Sequence, residues 1–198
     1  MRAVSLRILP VIALVAAASC DKGVTAPAPS ASTANRLILG SPTTVNVVRR
    51  TTPLASSLSS SAIIGVLGGQ ISIPGAGIKV VIPALALTSA TRITVTALAG
   101  DQVAYEFEPH GTRFLVPLLV TQNLAGTNAY NGGLLKPLVA GYFASTSDLD
   151  PLNGTGLVSE LLGVALNLSS KSATFPIFHF SGYLVATGEG LADAGSAQ

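Results

Sequence analysis

The chain has one cysteine, no tryptophan, two histidines and few charges, and each shortage closes off a class of protein. A lone cysteine, Cys20, cannot form an internal disulfide, so no disulfide framework and no Cys…Trp…Cys immunoglobulin pattern is available. His110 and His179, without paired cysteines, leave no transition-metal cluster, so no metal and no cofactor is expected. Neither Gly-x-Ser-x-Gly nor a phosphate loop of the Gly-x4-Gly-Lys-Ser/Thr kind occurs. Charged residues make up 10% of the 198 positions against 48% apolar ones, which excludes a solvated disordered polymer. That length has room for one domain with flexible ends.

What is present begins with an export signal. Arg2 and Arg7 form a positive start, residues 8–18 are apolar apart from Pro10, and the run closes with Ala17-Ala18-Ser19-Cys20. It is too short to span a bilayer stably. The ending resembles a bacterial lipobox, in which small residues precede a cysteine that is lipidated and becomes the new N-terminus. Ala17 stands where leucine is more usual. The alternative is an ordinary leader cut after Ala18 or Ser19. That would leave a free thiol in an oxidising compartment, a liability that favours lipidation. The resemblance implies a membrane partner through lipid on Cys20 and a place in the bacterial cell envelope. Loss of Arg2 and Arg7 leaves nine basic residues against nine acidic ones. With zero net charge and only Arg49-Arg50 paired, nucleic-acid binding is excluded.

Residues 1–19 are therefore read as the leader. Residues 20–62 are read as the lipidated cysteine and a flexible tether, since 21–36 are short, polar and proline-bearing and Ser56 to Ser61 is another soft stretch. Residues 43–49 offer one added strand within that tether. From Ile63 the texture is β-rich. Residues 70–73 and 78–82 flank the turn Pro74-Gly75-Ala76-Gly77, and 92–98 and 103–108 alternate. In the last two runs Ile93, Val95, Ala97, Val103, Tyr105 and Phe107 point inward. Further strands are expected at 114–121, 135–145, 161–168 and 173–187, the last two joined as a hairpin through Ser169 to Ser172. Leu157, Val158, Leu161, Leu162 and Ala165 also fit a helical stripe, but Gly163 and the hairpin signal favour a strand. The expected fold is all-β: a single antiparallel β-sandwich over 63–187, preceded by the signal peptide and tether and followed by a tail at 188–198.

The run from Gly68 through Leu87 (GGQISIPGAGIKVVIPALAL) resembles the opening of the ZU-five domain of zonula occludens and Unc-five-like proteins. Pro109-His110-Gly111 with Phe114 and Pro117 is similar to that family's second motif, and His179-Phe180-Ser181 to a triplet in its closing strand. The resemblance covers roughly residues 63–187, loosely over 122–160, with no second module expected after it. It implies a β-sandwich used mostly as an assembly module, hence a protein or envelope partner and no external substrate. In some members the triplet is a self-cleavage site. There the Ser181 hydroxyl would attack the Phe180 carbonyl, with His179 as general base or as the acid for the departing amine. Strand spacing puts His179 and Ser181 on one face and Phe178 and Phe180 on the other, toward the core. The alternative is a plain closing strand with solvated or paired side chains. A break there would free only the last strand and tail. His110 is read as a turn residue. Asp148, Asp150 and Asn153 have a loosely calcium-like spacing, but Asn153 and Ser159 stand where such a loop needs Gly and Glu.

Overall fold

A computed structural model describes residues 36–130 and 137–188. The leader, Cys20 and the tail from residue 189 onward lie outside the described residues. The order of elements is β1 (Arg36–Val47), β2 (Arg49–Leu54), β3 (Leu58–Ile64), β4 (Gly69–Ile73), β5 (Ile78–Ile82), β6 (Thr91–Ala97), β7 (Gly100–Gln102) and β8 (Ala104–Glu108). There follow β9 (Arg113–Asn123), β10 (Leu138–Phe143), β11 (Leu149–Asp150), β12 (Thr155–Gly163), β13 (Ala165–Asn167), β14 (Ser172–His179) and β15 (Gly182–Thr187).

Alternation explains the first layer of packing. Ile71, Ile73, Ile78, Val80 and Ile82 turn one way from β4 and β5, and Ile93, Val95, Ala97, Tyr105 and Phe107 face them from β6 and β8. The chain is an all-β, antiparallel sandwich. One sheet runs β1-β12-β10-β15-β8-β6-β3, with β11 added on β12; the other runs β13-β14-β9-β5-β4. β2 and β7 form a separate two-stranded pair. Each fully enclosed aromatic or aliphatic side chain between the sheets contributes about 1.5–3 kcal/mol relative to an exposed one.

The larger sheet is not open on its other face. β1 pairs with β12 along most of its length and then with β15 through Asn46↔Thr187 and Val47↔Ala186, so the sheet curls back on itself. Val45, Val47, Val158, Phe143, Leu184 and Ala186 form a second core inside that curl. β15 is therefore buried on both faces at all of its 6 residues, which is why GYLVAT reads as a nearly continuous apolar run.

Several expectations are corrected by this architecture. Pairing begins at Arg36, within the stretch read as tether. Ser56 to Ser61 is not a linker throughout, because Leu58–Ile64 pairs with β6 at every position. Its serines hid an edge strand: Ser59 and Ser61 face solvent while Leu58, Ser60 and Ala62 are half-buried. The expected strand at 173–187 is two strands in different sheets, broken at Phe180 and Ser181. The stretch expected as one strand at 161–168 divides between β12 and the short β13, which does pair with β14 as the expected hairpin.

Candidate functional site

The break between β14 and β15 carries the chain from one sheet to the other at the His179-Phe180-Ser181 triplet. Phe180 fixes the crossing. Its ring is 1% exposed, stacked on Phe107 with centroids 6.0 Å apart and edge-on to Phe114 at 4.6 Å. Such aromatic pairs add about 0.5–1.5 kcal/mol each beyond the area they bury.

The backbone of the triplet is held by the turn between β8 and β9. Phe180 N–H donates to the Thr112 carbonyl at 2.8 Å, Gly111 N–H donates to the Phe180 carbonyl at 3.1 Å, and Phe107 N–H donates to the Ser181 carbonyl at 3.0 Å. Gly111 adopts φ 79°, a left-handed conformation that a residue with a Cβ disfavours. The Pro-His-Gly segment and the His-Phe-Ser triplet, distant in sequence, are thus hydrogen-bonded to each other. His110 itself is exposed at the tip of that turn.

A cavity of about 360 Å³ opens beside the triplet, with Arg36, Arg113, Tyr142, Glu160, His179 and Ser181 in its wall. Glu160 is buried (4% exposed) next to the apolar residues Leu161 and Leu162 of β12, and a buried carboxylate needs compensation. Arg36 supplies it as a fork: Nε to Oε1 at 2.6 Å and Nη2 to Oε2 at 3.0 Å. The Arg36 guanidinium also lies over the Phe178 ring, 5.3 Å from its centroid. His179 Nε2 approaches Glu160 Oε2 at 3.5 Å, and the imidazole stands edge-on to Tyr142 at 4.9 Å. The Tyr183 hydroxyl donates to the His179 carbonyl at 2.9 Å and lies 3.3 Å from Nδ1.

Electrostatics follow from these contacts. Burial works to raise the Glu160 carboxyl, but hydrogen bonds and charge from His179 and Arg36 outweigh it and hold the group below its ordinary value. The hydrogen bond to Glu160 raises Arg36 against the effect of burial. Burial, reinforced by the Glu160 charge, pushes the Tyr183 phenol upward.

His179 and Ser181 both line the cavity and Phe180 enters the core, although the continuous strand from which this was expected is broken between them. Phe178 is only half-buried, beneath Arg36. The Ser181 residue is 7% exposed and its hydroxyl forms no hydrogen bond to His179 among the described residues, whose ring nitrogens face Glu160 and Tyr183. Among the described residues, the non-glycine residues with positive φ are Leu85 and Lys171, both away from the Phe180–Ser181 bond. Cys20 lies outside the described residues.

The carboxylates of the loosely calcium-like loop are turned on their own chain. Asp148 Oδ2 accepts from Ala144 and Ser145 N–H at 3.1 and 3.0 Å. Asp150 accepts from Leu152 N–H, Asn153 N–H and the Asn153 amide, which holds its carboxyl below the ordinary value.

Arg36, Tyr142, Glu160 and Tyr183 were not singled out from the sequence. Glu160 carried a usable signal, a carboxylate embedded in Leu157-Val158-Ser159-Glu160-Leu161-Leu162. Arg36 carried none, because its partner is 124 positions away. No family model matches this chain, and no curated protein matches it.

Proposed function

We propose that the chain is a lipid-anchored module of the bacterial envelope, held on a membrane through Cys20 and binding a protein or envelope component through its β-sandwich. The observation that supports this reading is a set of uncovered apolar side chains at the end of the sandwich that bears the triplet. Pairing of Ile64 with Thr91 and of Gly69 with Ile82 brings the β3–β4 and β5–β6 loops to one end. Leu85 N–H donates to the Val66 carbonyl at 2.8 Å and ties these loops together. Leu67 (87% exposed), Leu85 and Ile63 project there, and Leu115 (78% exposed) follows Arg113 beside His179. Exposed apolar clusters of this kind mark interaction surfaces. No helix among the described residues is long and apolar enough to cross a membrane, so the anchor in this reading is the lipid.

A photo-crosslinking residue at Leu67 or Leu115, in cells making the full chain, should give discrete adducts. The same residue at Leu152, which is 93% exposed in the loop before β12, should not. Equal labelling from all three positions, or none from the first two, would sink the reading.

A second reading, a domain that cuts its own Phe180–Ser181 bond, is favoured by one observation: the Gly111 N–H lies on the carbonyl that would be attacked. Hydrogen-bond donors at a developing oxyanion are among the largest contributors to acyl transfer. Ser181 would form an ester with Phe180 as the amide breaks, and water would release residues 181–198 as an 18-residue fragment. The position of β15 changes what cleavage would do. That strand is paired with β10, β8 and β1 and wholly buried, so the fragment would stay bound until the protein is denatured.

A further inference from the structure

We infer that the uncovered apolar end of the sandwich docks on the lipid surface of the membrane that holds Cys20, its leucines entering the interfacial layer. This names the partner in the anchored-module reading and rests on that reading.

The first observation is where the anchored segment enters the domain. Residues 21–35 separate Cys20 from the first strand, and 15 residues reach no further than about 50–54 Å. That strand starts at Arg36, and Arg36 and Ile38 stand in one cavity wall with Gly111 and Arg113. Gly111 belongs to the turn after β8, where Glu108 lies opposite Thr94, close to the start of β6 at Thr91. Thr91 in turn pairs with Ile64, at the root of the β3–β4 loop. The segment from Cys20 therefore arrives at the end that bears Leu67 and Leu85. Leu37 and Ile38, both exposed, extend the uncovered area directly after the entry point. Leu119 pairs with Val81, so the start of β9 runs past the end of β5 and carries Leu115 out at this same end.

The second observation is a strained leucine. Leu85 has φ 66°, a left-handed backbone in which a Cβ crowds the following carbonyl oxygen. The loop holds it there through the Leu85 N–H on the Val66 carbonyl and the Ala86 N–H on the Pro83 carbonyl. Glycine or asparagine would meet that shape at lower cost. The Leu85 side chain is 64% exposed and recovers little by packing on its own domain. A large apolar group kept at a costly, exposed position points to a contact made outside the chain.

Charge identifies that contact. No Asp, Glu, Lys, Arg or His occurs from Thr51 to Ile78 or from Val80 to Thr91, so both loops are uncharged. Behind them Arg92, opposite Ile63, and Arg113 are exposed, with Glu108 as the exposed acid of the neighbouring strand. Apolar tips in front and guanidinium groups behind suit a lipid interface. There an apolar face enters about 5–10 Å while arginines stay at the headgroups. Anchoring also holds the tip beside the bilayer at high local concentration, so an insertion too weak to recruit a free protein suffices.

The test uses the full chain, extracted from membranes in detergent and reconstituted into vesicles of phosphatidylethanolamine and phosphatidylglycerol. Cys20 is the only cysteine, and lipid on its sulfur leaves a thiol-reactive dye only the introduced site. Leu152→Cys is the control: the Pro151 carbonyl takes Arg49, which pairs with Gln102 at the opposite end of the sandwich. An environment-sensitive dye on Leu67→Cys or Leu115→Cys should shift to the blue. Nitroxide-bearing lipids should quench it several-fold more than on Leu152→Cys. Leu85→Asn, which keeps the backbone shape, should unfold at no lower urea midpoint and yet weaken the quenching at position 67. Equal quenching at all three labelled positions, or a label at 67 that stays in water, refutes lipid docking. A lower midpoint in Leu85→Asn with unchanged quenching also overturns it. A water-exposed label at 67 together with protein-sized photo-adducts there in cells refutes lipid docking alone and leaves the module with a protein partner. A chain that does not float with the vesicles has no anchor and refutes both readings.

Discussion

Gly182 opens β15 directly across the sheet from Phe143, and the aromatic ring lies over it where a side chain would stand. A Cβ at Gly182 would press into three carbons of that ring. Phe143 is 1% exposed and packed in the second core with Val158 and Leu184, so the ring has no solvent side to swing into. Overpacking of an enclosed site costs about 1–3 kcal/mol, and contact with rigid ring atoms puts Gly182→Ala at the upper end. Against this, replacing glycine by alanine restricts the unfolded chain and returns about 0.4–1 kcal/mol. The clash wins, with a net loss of about 2 kcal/mol. At about 2–4 °C per kcal/mol for a domain of this size, Tm should fall by about 4–8 °C.

Urea unfolding followed by circular dichroism is the suitable assay, since the chain has no tryptophan. Phe143→Leu should itself destabilise, because it removes part of a buried ring. Combined with Gly182→Ala it should cost less than the sum of the two, by about 1 kcal/mol or more, because the leucine vacates the space the new methyl needs. A Gly182→Ala protein within about 0.5 kcal/mol of wild type, or strict additivity in the double variant, would refute this packing argument.

Titration of the site gives two further outcomes. Glu160 sits below its ordinary value in the fold, so its contribution to stability is complete above the unfolded value near 4.5 and is lost as pH falls through the lower folded one. Urea midpoints measured from neutral to acidic pH should therefore decline less steeply below that value in Glu160→Gln than in wild type; parallel declines would contradict a lowered Glu160 carboxyl. At the alkaline end, burial pushes Tyr105 up to about 12 despite the charge and hydrogen bond of Arg50, and Tyr183 is raised as well. Their contribution is complete below about pH 10 and is lost as pH rises through the folded values. Tyrosinate absorbance at about pH 11 should show at least two of the four phenols still protonated in the folded protein, and titration of all four together would contradict it.

Where burial is one-sided, the sequence was enough. The alternating runs that became β4, β5 and β6 were legible because only one face of each enters the core; in β8 the alternation also held, with only Ala104 buried on the opposite face in the second core. The same signal fails where both faces are covered or where an edge is polar. β15 reads as an unbroken apolar run because β1 and β12 fold over its second face, which hid the break at Phe180 and Ser181. β3 reads as a serine linker because an edge strand needs little apolar area outward. At the site, the triplet was visible as a motif, but the strand spacing used to place its side chains does not run through the break at Phe180 and Ser181, and Phe178 is only half-buried. The Arg36–Glu160 pair that surrounds it was not visible, because it joins positions 124 apart that only the completed sheet brings together.

Attachment through Cys20 is the premise on which presentation of the apolar end depends. The most direct measurement is the intact mass, in denaturant, of the chain extracted from the membranes of a bacterium expressing it with its own leader. The expected mass is that of a polypeptide beginning at Cys20 and carrying lipid, with Cys20→Ala leaving the membrane fraction. An unlipidated chain beginning at residue 19 or 20, or a Cys20→Ala protein that stays membrane-bound, would contradict the anchored-module account.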